Sequence, residues 1–198
     1  MDADLWFPWF ESVPRRHYSE VLAPLVRTSL EWPPQEHRID WSAVEEDLNL
    51  RLPESYKRTS EVLPAGTLWP FSWCSPVAKR KEYRLDRQSL MKLADLCAEI
   101  TRAPLFPAVP GYLEIASAPS RLSLYYQVIQ ADGDRPTCLP EVVLMDCGAE
   151  EKEFTGVEID EFFYRFLTNN PPLKGELSQR VREHLPDDSE GIPFFWAC

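Results

Sequence analysis

The amino-acid sequence predicts a single α+β domain, in which N-terminal helices lead into a central antiparallel sheet flanked by helices. Three observations carry that expectation. Apolar residues recur at intervals of three and four before residue 100. From Pro104 the period shortens to extended runs broken by turn residues, with Asp132-Gly133 as a strong hairpin signal. Helical spacing then returns after Glu158. A chain of 198 residues suits one domain, and at this size folding buries about 70% of the surface the unfolded chain exposes. The expected organisation is an N-terminal helical arm over 1–36, packed on a main domain over 37–198.

The arm opens with Leu5-Trp6-Phe7-Pro8-Trp9-Phe10, too aromatic to stand in solvent, and continues as a stripe of Val21, Leu22, Leu25, Val26 and Leu30 that Pro24 interrupts. Asp40 can cap a helix from Trp41 to Leu48 whose apolar face carries Trp41, Val44 and Leu48. Asn49 stands where a helix ends in a left-handed residue, and Leu50 and Leu52 anchor a short connector. Pro53, its φ preset, opens a second helix that turns Tyr56 inward. Asp86 caps a third, with Leu90, Leu93, Ala94, Cys97 and Ile100 on one face. Strands are expected at Tyr112–Ala116, Leu122–Gln130, Glu141–Asp146 and Lys152–Thr155. A helix from Glu158 to Thr168 buries Ile159, Phe162, Phe163, Phe166 and Leu167 before Pro171-Pro172 stops it. Leu173, Leu177, Val181 and Leu185 mark a last helix starting at Pro172, in which Gly175 costs about 1 kcal/mol. Phe194-Phe195-Trp196 is too apolar to remain in water.

Composition narrows the function. The net charge is −11, from 21 Lys and Arg against 32 Asp and Glu, which opposes nucleic-acid phosphate. Five scattered cysteines never form C-x-x-C, so they suggest neither zinc nor redox chemistry and read as reduced cytoplasmic thiols. Asp2 and Asp4 stand where a secretory signal needs positive charge, and no apolar run approaches the ~20 residues of a membrane span. The seven glycines are too far apart for a phosphate loop, and His17, His37 and His184 lack metal-ligand spacing. Glu45 and Glu46 are adjacent on a helix and point about 100° apart, so they do not share a site. A nucleophile at Cys147, beside Gly148, has no accompanying motif. No enzyme activity and no cofactor are expected.

The helix, tight turn, Leu-Pro, helix arrangement resembles the signature of the SUKH superfamily of Smi/Knr type, carried here by Trp41, Glu45, Leu48, Leu52, Pro53 and Tyr56, with Asn49 where the family usually has glycine. Phe154 to Phe163 resembles the family's closing strand and helix. The resemblance implies a bacterial immunity protein that binds and blocks a cognate toxin domain, a nuclease or nucleic-acid deaminase with a basic cleft. The other role it implies is an adaptor scaffold like that of the fungal relatives. Charge gives the partner a face. Between Asp132 and Phe163 ten acidic residues stand against Arg135 and Lys152, a balance of −8. Asp146, Glu150, Glu151, Glu153, Glu158 and Glu161 are therefore the expected docking residues for a cationic toxin, with Trp69 and Trp73 as aromatic contacts.

Overall fold

A computed structural model describes Tyr18, Leu22 and residues 38–63, 66–68, 71–76, 78, 84–97, 103–118, 121–131, 133, 135–146, 151–167, 175–182 and 195–197; for 67, 68, 167, 178, 182 and 195–197 it describes the backbone alone. The α+β expectation holds: helices pack on an antiparallel sheet.

The first two helices, α1 (Trp41–Leu48) and α2 (Glu54–Val62), follow from local chemistry. The Asp40 carboxylate accepts the Ala43 N–H at 3.1 Å and so caps α1. Asn49 ends it at φ 50°, ψ 45°, and the N–H groups of Asn49 and Leu50 return to the carbonyls of Glu46 and Glu45, each at 3.1 Å. Glu45 then reaches over the turn to accept the Leu52 N–H at 2.8 Å and to pair with Lys57 at 3.0 Å. The connector is tied to the sheet on both sides of Arg51, whose N–H reaches the Pro136 carbonyl and whose own carbonyl accepts from Cys138. Pro53 lies one position outside the helix it was expected to open, with φ −63° and an extended ψ of 146°. Leu48, Leu50, Leu52 and Tyr56 are buried. Trp41 and Val44 are only half-buried, because α1 enters the core by its C-terminal end; the Trp41 indole donates to Glu61 at 2.8 Å.

Among the described residues seven strands form one antiparallel sheet: β1 (Gly66–Leu68), β2 (Phe71–Trp73), β3 (Gly111–Ser117), β4 (Leu122–Ile129), β5 (Thr137–Asp146), β6 (Lys152–Glu158) and β7 (Phe195–Ala197), in the order β6-β5-β4-β3-β2-β1-β7. Three strands, β1, β2 and β7, were not expected, being three residues long and too short to show a period of two. β5 starts four residues earlier than expected because the sheet accommodates Pro140 in a bulge, the register stepping from Tyr126↔Val142 to Val128↔Cys138. β6 runs past Thr155 to Glu158, with Gly156 at φ 69° in a second bulge.

The larger core lies on the inner face of the sheet, and each of the five helices bounded among the described residues feeds it: Leu48 from α1, Tyr56 from α2, Leu90 from α3 (Arg87–Cys97), Phe162, Phe163 and Phe166 from α4 (Ile159–Leu167), and Leu177 and Val181 from α5 (Glu176–Arg182). The phenylalanines of α4 meet β2 edge to face, Phe162 and Phe166 on Phe71 at 5.9 and 5.6 Å and Phe163 on Trp73 at 5.2 Å. α3 is capped by Asp86, whose carboxylate accepts from Ser89, but of its expected stripe only Leu90 is fully buried, while Leu93, Ala94 and Cys97 are half-buried. α5 begins after Gly175, so the glycine sits outside the helix, where its N–H reaches Glu153 at 2.8 Å. Of the N-terminal arm, the described residues are Tyr18 and Leu22, both helical and both in the core, with Tyr18 4.9 Å from Tyr164. The rest of 1–36, together with Ile100, Leu173 and Leu185, lies outside the described residues.

Candidate functional site

The ladder between β5 and β6 decides which acidic residues reach solvent. Several acidic side chains there are engaged within the fold. Asp146 is 5% exposed and paired with Arg180 of α5, and Glu161 is 7% exposed and paired with Arg165 one helical turn on. Glu153 lies opposite Leu144, half-buried, and accepts the Gly175 N–H. Trp73 is fully buried between Tyr56 at 5.0 Å and Phe163. Asp146, Glu161 and Trp73 are thus buried, and Glu153 half-buried, each held by partners within the fold. The sequence shows their charge or aromaticity but not the side of the sheet they take. Glu150 and Trp69 lie outside the described residues.

The outer face of the same two strands is different. Glu151 and Glu158, both expected at the docking face, are exposed, and so is Glu141, which β5 sets directly opposite Glu158. Beside that pair Phe154 stands opposite Val143 with 59% of its surface in solvent. Glu141 and Val143 share the outer face because Val142 between them points into the core. The exposed set on this face is therefore Glu141, Glu158 and Phe154, with Glu151 exposed just before β6 begins. Phe154 was missed as a site residue, although the alternation through Lys152, Phe154 and Thr155 already placed it on the face opposite Thr155.

Further along the outer face lies a small buried cluster of Tyr112, Tyr125, Val143 and Met145. Lys152 reaches over it, its ammonium 4.7 Å from the Tyr112 ring centroid and donating to the phenol oxygen at 3.2 Å. Glu114, opposite Tyr125, accepts from Ser123 at 3.0 Å, and burial pushes its carboxyl up to about 7 against the opposing help of the Ser123 and Tyr125 hydroxyls. Burial, with Glu114 adding to it, also pushes the Cys74 thiol up to about 12. Cys138 moves the same way, so both sulfurs stay protonated and poorly nucleophilic. Cys147 lies outside the described residues.

Among the described residues no group of three or more His, Cys, Asp or Glu is arranged to hold a metal ion, and no helix is long and apolar enough to cross a membrane. At this edge Glu141 and Glu158 face solvent on the same side of the sheet as the Phe154 ring, and Glu151 is exposed just before β6. No protein-family model matches the chain, and no curated protein or solved structure does.

Proposed function

We propose that this protein acts by stoichiometric binding, as an immunity protein that docks its acidic β5–β6 edge onto the basic cleft of a cognate toxin domain and so blocks access to that cleft. The observation that carries the reading is the exposure of Glu141 and Glu158, paired across β5 and β6 on the face that also exposes Phe154, with Glu151 exposed just before β6. The resemblance of Trp41 to Tyr56 to the SUKH signature and the net charge of −11 point the same way. An acidic face attracts a cationic partner over a distance, and at physiological salt that attraction fades beyond about 8 Å. Charge there governs the rate of association more than the lifetime of the complex.

The test is the combined reversal Glu141→Lys, Glu151→Lys and Glu158→Lys, with the toxin encoded beside the gene as partner. All three side chains are exposed, so thermal melting is expected to stay near that of wild type. Association at low salt is expected to slow at least about tenfold, with weaker protection of cells. A correctly folded variant that associates at the wild-type rate and still protects would overturn the reading.

A further inference from the structure

Within the acidic edge, one spot has the chemistry of a side-chain receptor. Glu141 and Glu158 lie directly opposite each other across β5 and β6, which sets their Cβ atoms about 5 Å apart. Like charges so placed repel, and among the described residues neither makes an ion pair. Two cations from the elements around the pair are engaged with other groups: Arg58 lies 3.9 Å from the Asp160 carboxylate, and Lys152 is held on Tyr112. The charge of Glu158 is felt at Asp160, where it helps burial raise the affinity for a proton.

Phe154 is the neighbour of this pair on the same face, one outer-face position along β5. Its ring is 59% exposed. β6 ends the sheet among the described residues, and the bulge over Thr155 to Val157, with Gly156 at φ 69°, bends it, a shape that disfavours the addition of another strand. Contact at such an edge falls to side chains rather than to an extended backbone.

Resting on the docking function proposed above, we propose that Phe154, Glu158 and Glu141 form a receptor for an arginine side chain of the cationic partner. The guanidinium lies on the Phe154 ring and directs its fork of N–H donors to the two carboxylates, relieving their repulsion. Arginine fits better than lysine because its charge is planar, stacks on a ring and donates in two directions at once.

The test titrates the full chain, by NMR, with two short blocked peptides: Gly-Ser-Arg-Gly-Arg-Ser-Gly and the same peptide with lysine for arginine. Shifts are expected to centre on Phe154, Glu158 and Glu141, with the arginine peptide at least about threefold tighter. Phe154→Ala and Glu158→Gln are each expected to lose that preference. Glu158→Gln is also expected to melt higher than wild type without peptide, because it removes the repulsion. Equal response to both peptides, shifts centred elsewhere, or self-association of the chain through this edge would each overturn the receptor. Failure of the receptor is separable from failure of the function. Protection from the toxin that survives Phe154→Ala but not the triple reversal would overturn the arginine receptor alone. A mapped arginine preference with no protection would support the receptor and overturn the immunity role.

Discussion

At Asn49 a single backbone angle organises the segment from Asp40 to Tyr56. Its φ of 50° lets both orphan N–H groups after α1 fold back on the helix, and asparagine tolerates that region better than any residue with a branched Cβ. Asn49→Gly is expected to be neutral or slightly stabilising and Asn49→Val to cost about 1–2 kcal/mol, which chemical denaturation of the two variants measures. Equal stability would show that the turn does not depend on this angle. Glu114 gives a second residue-scale expectation, in pH. Its folded pKa of about 7 stands above the ordinary 4.5, so between those values the folded chain keeps a proton that the unfolded chain has released. The stability this group contributes is complete below pH 4.5 and is lost as pH rises through 7. Glu114→Gln keeps an acceptor for Ser123 and does not titrate. Melts at pH 5 and pH 8 are expected to show the variant gaining on wild type at the higher pH, and an unchanged difference would contradict the assignment. Asn49 was legible from the sequence because a helix end is local chemistry. Glu114 was not, because burial beside Ser123 and Tyr125 is a product of strand pairing.

Among the elements, the long ones were legible and the short ones were not. α4 shows its apolar residues at helical spacing over nine residues, and the core has them where that spacing puts them. β1, β2 and β7 have only three residues each, and their pairing is decided by neighbours in space. Trp73, expected as a docking contact, is therefore found in the core together with Phe71. The start of β5 was hidden by Pro140, which the sheet tolerates only because a bulge removes the need for its missing N–H. α5 is held by Leu177 and Val181 and by the ion pair from Arg180 to Asp146, whose carboxylate side is 7% exposed. Removing the cation from a buried pair costs more than removing both charges. Arg180→Met is expected to destabilise by about 3 kcal/mol, and adding Asp146→Leu to recover much of it, by equilibrium denaturation. A double variant no more stable than the single one would show that the pair does not hold α5.

On the scale of the whole molecule, the described residues form a large buried cluster on one face of the sheet and a small one on the other, and this division separates acidic residues that are close in sequence. Glu153 and Glu158 are five positions apart, yet one is turned toward α5 and the other toward solvent. Composition shows that the segment is acidic, which is what suggests a cationic partner. The strand register across the bulges at Pro140 and Gly156 shows which of its carboxylates reach solvent. The sheet order also has a consequence for how the protein is made. β1 is placed between β2 and β7, so a strand formed by residues 66–68 takes its second neighbour from residues 195–197. On a translating ribosome the hairpin of β1 and β2 emerges early, but its outer backbone groups stay unpaired until residue 197 has cleared the exit tunnel. The fold is closed at that edge only after synthesis of the whole intervening chain, and until then the β1 edge is the surface a chaperone would have to guard.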